Sequence, residues 1–246
     1  MSTSAAGPET VISTVAALEA FLSTITPTSA LYLDLEGTNL CRHGNISLIT
    51  ILIHPQKTTR LIDVQTLGNL VFTTASPNDP HKSLKSILED ESIRKFLWDT
   101  RNDADALWAH YKVALNGVTD VQLMENASRE GSKEFLGGLD KCVQYGLSLG
   151  YLELSQWLRT KQDVKSMMSN GVFAKRPMEE KTVQYCVGDV QYLPKLYEVY
   201  GKKLNKEWME KARSAGYEPQ GPRKKFGPWG VGVEYKGFGW VWKQRD

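Results

Sequence analysis

Two acidic residues in an otherwise apolar stretch constrain this chain more than any other feature of its sequence. Residues 30–37 read ALYLDLEG, with Leu at every second position. This period of two predicts a β-strand in which Asp34 and Glu36 project from the same face. A carboxylate within an apolar strand is unfavourable to bury without a partner. We therefore expect other parts of the chain to complete a site that compensates this charge.

The pattern of elements predicts an α/β fold. Residues 30–64 read as a three-stranded meander, and the second strand, within GNISLITILIHP, is almost continuously apolar, which is typical of a sheet covered on both faces. A helix with Ser13 as its cap precedes the meander, and strands alternate with helices after it. Separate helical pieces are predicted at LSQWLRT and DVKSMM, and a longer helix over residues 179–193 with a bend or restart at Pro194. The expected architecture is a three-layer domain with a mixed central sheet and helices on both faces.

Charge and composition divide the chain into three predicted parts. Residues 1–9 are rich in Ser, Ala, Gly and Pro and are predicted to be disordered, and residues 10–204 form the folded domain. Residues 205–246 form a basic, Trp-rich extension; from Lys202 onward there are 11 Lys or Arg against 5 Asp or Glu. Its segment VGVEYKGFGWVWKQ predicts a β-hairpin, which would either pack on the domain or offer Trp side chains for stacking on nucleic-acid bases.

The bulk composition excludes several classes of protein. With 41% hydrophobic and 24% charged residues the chain resembles ordinary globular proteins, and it contains no run of 18 apolar residues that would predict a membrane span. The first 41 residues lack Lys and Arg, which argues against a secretory signal or a mitochondrial presequence. We therefore expect a cytoplasmic or nuclear protein without a small-molecule cofactor.

Two predicted helices offer further carboxylates. In RNDADALWAHY, Asp103 lies four residues before Leu107 and so shares the stripe that faces the core. Asp105 falls about 200° away around the helix and is predicted to be solvated, which favours Asp103 as the functional acid. In QYCVGDVQ, Tyr185 and Asp189 are separated by four residues, which places a phenol and a carboxylate on one helix face.

Together these side chains predict phosphodiester chemistry. Carboxylate oxygens are ligands that hard cations such as Mg²⁺ or Mn²⁺ prefer. Four acids at Asp34, Glu36, Asp103 and Asp189 would suffice to hold two ions, the arrangement that clamps the attacking and leaving oxygens of a phosphodiester. Tyr185 would then orient or deprotonate the attacking water. Asp63 and Asp120 lie at the ends of predicted strands and are expected to serve as caps or turn formers.

The sequence resembles the DEDDy group of 3'-to-5' exonucleases in the ribonuclease H-like superfamily. The strand element DLE, the helix acid followed by an aliphatic residue four positions on, and the Y-x-x-x-D element YCVGD occur in the order and spacing of that group's three motifs. The segments LYLDLEGTNLCRHGNISLITI and RPMEEKTVQYCVGDVQYL are similar to the ribonuclease D and Werner exonuclease branch, including proteins described as 3'-5' exonuclease domain-containing. The resemblance implies that four acids bind metal, namely Asp34, Glu36, Asp103 and Asp189. It also implies that Tyr185 is the tyrosine that distinguishes this group from the variant with histidine at that position.

The resemblance further implies hydrolysis at the 3' end of a nucleic-acid strand, with release of nucleoside 5'-monophosphates. Some relatives have the acid of the second motif at the position of Asp105. Asp103 and Asp105 therefore both stay candidates for the metal-binding acid of this motif. Lys175 and Arg176 precede the last motif and would either reach a phosphate or lie in an ordinary solvated loop. A rival hypothesis is a catalytically weak or inactive exonuclease fold that binds nucleic acid as a scaffold. The sequence leaves the choice between DNA and RNA open.

Overall fold

The structure, a computed structural model, describes residues 10–214. The predicted disorder of residues 1–9 and the predicted hairpin within VGVEYKGFGWVWKQ lie outside the described residues. In the described part of the chain, no helix combines the length and the apolar character that crossing a membrane requires.

A six-stranded mixed sheet forms the centre of the fold. Its strands stand in the order β1-β4-β3-β2-β7-β8, and a separate two-stranded sheet pairs β5 with β6. Strands β2, β3 and β4 pair antiparallel as the predicted meander, whereas β1 runs parallel to β4 and β2, β7 and β8 run parallel to one another. The strands are β1 Val11–Ile12, β2 Ala30–Glu36, β3 Leu48–His54, β4 Thr58–Asp63, β5 Ala75–Ser76, β6 Asp79–Ser83, β7 Arg94–Leu97 and β8 Val118–Asp120.

Helices cover both faces of this sheet, which confirms the predicted three-layer α/β architecture. The helices are α1 Val15–Thr24, α2 Val64–Leu67, α3 Leu70–Thr73, α4 Leu84–Glu89, α5 Thr100–Tyr111, α6 Val121–Ser128, α7 Leu139–Gly146, α8 Tyr151–Met167, α9 Glu180–Gln191, α10 Leu193–Gly201 and α11 Lys206–Ser214. Helix α9 ends two residues before the predicted boundary, and α10 begins immediately before Pro194. The predicted restart of the helix at this proline is therefore confirmed.

The alternation of β2 divides the hydrophobic core into two layers. Leu31, Leu33 and Leu35 are buried against the layer that contains α1, α4 and α5. Tyr32 points to the opposite layer, where it stacks on Phe96 with ring centroids 4.7 Å apart and packs with α6, α8 and α10. Because side chains alternate along a strand, Asp34 and Glu36 share the face of Tyr32, and that face also receives α9.

The structure corrects two predictions about local elements and adds short elements that were not predicted. The cap of α1 is Thr14, whose hydroxyl accepts a hydrogen bond from the backbone N–H of Ala17 at 3.3 Å, rather than Ser13. The two helical pieces predicted between residues 154 and 168 belong to the single helix α8. Strand β1, the β5–β6 pair and helices α2 and α3 were not predicted, because segments of two to five residues carry almost no periodicity.

Two strand ends place helices over the same edge of the sheet. Strands β2, β7 and β8 are parallel, so their carboxyl ends meet at one edge, and α5 and α6 begin there.

Asp120 caps α6 by accepting hydrogen bonds from the backbone N–H groups of Gln122 and Leu123. Asp63 caps α2 through the backbone N–H of Thr66 at 3.0 Å. The predicted capping roles of both aspartates are confirmed.

Candidate active site

Three of the predicted acids converge at the carboxyl end of β2. One carboxylate oxygen from each of Asp34, Glu36 and Asp189 lies within 4.8 Å of the other two. Asp34 and Glu36 come from the central strand β2, where they pair with Thr50 and Leu48 of β3, and Asp189 comes from α9. The three side chains thus sit on regular elements, whose backbones hold them in place more rigidly than a loop would.

The chain that follows β2 folds back tightly on the acidic strand. The backbone N–H of Ser47 donates to the carbonyl of Glu36 at 2.7 Å, and Asn45 is hydrogen-bonded to Thr38 through both its backbone and its side chain. A Cβ at Gly37 would lie only 2.0 Å from the carbonyl oxygen of Asn45. A glycine is therefore required here, and the closed loop fixes the end of the strand that carries Glu36.

The electrostatics of this cluster favour a bound cation. Burial, followed by the charge of Asp189, raises the pKa of Asp34 well above its ordinary value, and burial together with Asp34 and Asp189 does the same for Glu36. Burial also raises the pKa of Asp189. In addition, Oδ2 of Asp34 is buried without a hydrogen-bond partner. Carboxylates that repel one another and leave an oxygen unsatisfied are a fitting donor set for a divalent metal ion.

Asp103 lies beside this cluster on α5. It is 6% exposed, and its pKa is raised well above the ordinary value by burial and then by the charge of Asp34. Asp103 is not among the three acids whose oxygens lie within 4.8 Å of one another. The structure therefore brings Asp103 within electrostatic range of Asp34 at the edge of the cluster.

The prediction that Asp105 is solvated was wrong. Asp105 is fully buried and forms an ion pair with Arg42, whose Nη2 and Nε donate to Oδ1 at 2.7 and 3.0 Å. The backbone N–H of Arg42 adds a hydrogen bond to Oδ2 at 3.0 Å. Arg42 belongs to the loop after β2, so this pair fastens that loop to α5 and uses both oxygens of the Asp105 carboxylate.

Tyr185 is buried one helical turn before Asp189. The residue is 5% exposed, and its ring packs against Phe173 with ring centroids 5.8 Å apart. Burial raises the pKa of Tyr185, and the nearby charges of Asp189 and Glu36 raise it further. The phenol therefore keeps its proton. This arrangement suits a hydroxyl that orients a water better than one that removes its proton.

Lys161 is part of the site and was missed by the sequence reasoning. Its ammonium donates a hydrogen bond to Oδ1 of Asp189, and the residue is 6% exposed. It belongs to α8, where the buried residues Trp157, Lys161 and Val164 follow helical spacing. A lysine in the middle of an apolar stripe is a signal that could have identified it, because lysine is seldom buried unless it is paired.

The two basic residues before α9 take different positions. Arg176 donates to both carboxylate oxygens of Asp63, from Nε and Nη2, at 2.6 Å each. Its guanidinium therefore links the loop before α9 to the end of β4 and the start of α2. Lys175 is exposed on the same loop. The predicted contact of these residues with a phosphate stays a prediction.

Comparison with known proteins places this arrangement in a family. A family model described as 3'-5' exonuclease matches residues 10–205, which is most of the chain. Among individual proteins, the human piRNA biogenesis protein EXD1 is 32% identical over 108 residues. That match covers 44% of this chain but only 19% of the human protein, so the chain spans a small part of the length of this relative.

Solved structures share the fold at low sequence identity. The Trypanosoma brucei RNase D in complex with GMP superimposes with a TM-score of 0.65 at 24% identity, covering 83% of this chain and 60% of that one. The Brucella melitensis NrnC with bound Mg²⁺ gives a TM-score of 0.51 at 18% identity, covering 75% and 78% of the two chains. The mixed sheet with helices on both faces is thus an RNase D-like exonuclease fold. With its family match across residues 10–205, the chain belongs to the 3'-5' exonuclease family.

Proposed function

We propose that the protein is a divalent-metal-dependent exonuclease that removes nucleotides from the 3' end of DNA or RNA. The observation that carries this proposal is the meeting of the Asp34, Glu36 and Asp189 carboxylates within 4.8 Å, beside Asp103. The family match and the likeness to RNase D, whose structure is a complex with GMP, support nuclease function.

The donor atoms of the site fit Mg²⁺ or Mn²⁺. All are carboxylate oxygens, burial and repulsion between the carboxylates raise the pKa values of Asp34 and Glu36, and Oδ2 of Asp34 lacks a hydrogen-bond partner. Asp34, Glu36, Asp103 and Asp189 would hold the ions. When bound, two such ions lower the pKa of the attacking water and stabilise negative charge on the phosphate and on the leaving 3'-oxygen.

The remaining tasks belong to the side chains of this protein. Tyr185, protonated and held against Phe173, donates its hydrogen bond to orient the water in line with the scissile P–O bond. The water oxygen forms the new bond to phosphorus and releases a proton to the solvent, the bond from phosphorus to the 3'-oxygen breaks, and that oxygen takes up a proton from the solvent. The products are a shortened strand with a free 3'-hydroxyl and a nucleoside 5'-monophosphate.

Digestion of matched oligonucleotides tests the proposal. DNA and RNA strands of identical sequence, labelled at the 5' end, are incubated with the purified chain and Mg²⁺ or Mn²⁺. We expect a ladder that shortens from the 3' end, no products in EDTA, and no products with Asp34→Ala. Failure to shorten either strand in either metal, or equal activity of Asp34→Ala, would overturn the proposal. Metal-independent RNA binding without any cleavage would instead support the scaffold hypothesis.

A further inference from the structure

Helix α8 places a buried lysine, Lys161, against the acidic cluster. The proposed reaction gives this lysine no role. Lys161 is 6% exposed and lies between Trp157 and Val164 on the stripe of α8 that packs against α9. Its ammonium donates a hydrogen bond to Oδ1 of Asp189. One oxygen of a carboxylate on which the proposed metal site depends is therefore already engaged by a positive charge of the protein itself.

Two aromatic rings hold this ammonium in place. The Nζ atom of Lys161 lies 4.5 Å from the ring centroid of Tyr185 and 5.6 Å from that of Trp157. Such contacts between a cation and aromatic faces are attractive and gain strength when water is excluded. The lysine is thus fixed between the tyrosine and the aspartate of the Y-x-x-x-D element.

The backbone of α9 allows α8 to come close enough for this contact. A Cβ at Gly188 would lie 2.8 Å from Nε1 of Trp157, so a larger residue would push the two helices apart. Nε1 of Trp157 instead donates to the carbonyl of Gly188 at 3.2 Å. Asp189 is the next residue, and Lys161 is one helical turn after Trp157, so the same packing brings the ammonium to the carboxylate.

We infer that Lys161 is an internal counter-ion that competes with a divalent metal ion for Asp189. The inference rests on the proposed function, because it takes Asp189 to be a metal ligand. Mg²⁺ binds carboxylate oxygens at about 2.1 Å. An ion at that distance from Asp189 repels an ammonium on the same carboxylate, so metal binding includes the displacement of Lys161. The lysine stabilises the acidic cluster before metal binds and weakens the affinity for the metal.

Metal titrations of the intact chain test this competition without any substrate. After treatment with EDTA and dialysis, the dissociation constant for MnCl₂ is measured by calorimetry for the wild-type chain and for Lys161→Met. We expect binding about tenfold tighter in Lys161→Met, within the range of about 5- to 150-fold that is typical of couplings between bound ligands. A lysine with a purely structural role predicts the opposite, since its loss would loosen the site and weaken binding.

Lys165→Met is the matched control. Lys165 lies one turn further along α8 and pairs with Asp140 at 3.5 Å. Its charge also acts on Asp189 from a distance, so its loss removes the same charge from the same helix but leaves the hydrogen bond from Lys161 to Asp189 in place. We expect its affinity for Mn²⁺ to stay within about twofold of the wild type. If Lys165→Met tightened binding as much as Lys161→Met, a general change of charge would explain the result and the inference would fail.

Two further variants keep the test decisive if Lys161→Met does not fold. Lys161→Gln keeps a hydrogen-bond donor but removes the charge, and we expect tighter binding of Mn²⁺. Lys161→Arg keeps the charge, and we expect affinity close to that of the wild type. Measurable but equal affinities in the wild type, Lys161→Gln and Lys161→Met overturn the inference alone. An absence of binding in all variants overturns the proposed function as well.

Discussion

Arg42 and the fully buried Asp105 form an ion pair that fixes the loop after β2 to helix α5. Three groups of Arg42, Nε, Nη2 and the backbone N–H, donate hydrogen bonds to the Asp105 carboxylate, and the shortest bond from each is 2.7–3.0 Å. Asp105 is fully buried, whereas Asp103, two residues earlier, faces the acidic cluster. The two acids of this helix therefore lie in different environments, Asp105 in an ion pair and Asp103 beside the acidic cluster.

The first prediction separates these two acids. Asp105→Ala removes the fully buried carboxylate of this ion pair and the hydrogen bonds that fasten the loop after β2 to α5, and we expect it to lower the free energy of unfolding by about 3 kcal/mol. Asp103→Ala removes a carboxylate with a raised pKa and should not destabilise the chain in EDTA. Urea unfolding measures both effects. If Asp103→Ala kept the full metal-induced stabilisation and a folded Asp105→Ala lost it, the ligand would be Asp105.

The second prediction concerns stabilisation by metal. Divalent ions that bind only the folded chain should stabilise it by about 2.7 kcal/mol at a concentration one hundred times the dissociation constant. For a domain of this size that corresponds to a rise in melting temperature of about 5–10 °C. Thermal unfolding in EDTA, Mg²⁺ and Mn²⁺ measures it, with Asp34→Ala as the control that should show no rise. An equal rise in Asp34→Ala would place the ions elsewhere.

The third prediction follows from the pKa directions in the cluster. The pKa values of Asp34, Glu36 and Asp103 are raised in the folded chain, chiefly by burial, and that of Asp120 is raised to about 6. The folded state therefore binds more protons than the unfolded state above pH 4, so the free energy of unfolding in EDTA should fall as the pH rises from about 4 towards neutrality. Metal should restore stability at neutral pH.

Asp34→Asn provides the variant for this pH dependence. It removes a charge that is repelled by Asp189, so in EDTA at pH 8 we expect it to be more stable than the wild type. Each unit by which the pKa is raised corresponds to about 1.4 kcal/mol. Chemical unfolding across pH 4–8 is the measurement. A wild-type stability that rises steadily over this range, with no gain in Asp34→Asn, would contradict the expected repulsion.

Local periodicity in the sequence predicted the strand and the helix that carry the candidate site. The environments of other side chains depend on contacts between residues that are distant in sequence. The strand that carries Asp34 and Glu36 and the helix that carries Tyr185 and Asp189 repeat over several residues, so their faces could be predicted. The environment of Asp105 could not be predicted from the sequence, because its partner Arg42 lies 63 residues away. A helical wheel places a residue on a face of its own helix but does not show what covers that face.

Lys161 was missed for a related reason. Lysine is usually exposed, so its place on an apolar stripe of α8 gives a weak signal from sequence alone. Its burial depends on Asp189, which is 28 residues away, and on the packing of Trp157 against Gly188. The acids of the site could thus be predicted from the chain, whereas their counter-ion required the three-dimensional arrangement of α8 and α9.

The fourth prediction tests the role of Tyr185. Tyr185→Phe removes the hydroxyl and keeps the ring that packs on Phe173 and Lys161. If the hydroxyl only orients the water, kcat should fall about 100-fold while KM and the metal-induced rise in melting temperature stay near those of the wild type. Steady-state cleavage of a 5'-labelled oligonucleotide gives both constants. An unchanged kcat would exclude Tyr185 from the reaction.

The fifth prediction distinguishes the roles of the two basic residues Lys175 and Arg176 in the loop before α9. Arg176 holds the buried Asp63, and although burial raises the pKa of Asp63, the hydrogen bonds from Arg176 and Thr66 lower it overall. The stability from this pair is therefore present above about pH 4 and is lost as the pH falls through the lowered pKa of Asp63. Arg176→Ala should lower the free energy of unfolding at pH 7 by about 3 kcal/mol, as measured by urea unfolding.

Lys175→Ala is the counterpart of that variant. Lys175 is exposed, so its loss should leave stability unchanged and, if it contacts a phosphate, reduce the slope of log K against log salt concentration by about 0.7 for a single strand. Binding is measured in the Asp34→Ala background, where the oligonucleotide is not cleaved. An unchanged salt slope would assign Lys175 to the solvated surface, and a stable Arg176→Ala with weakened binding would move the phosphate contact to Arg176.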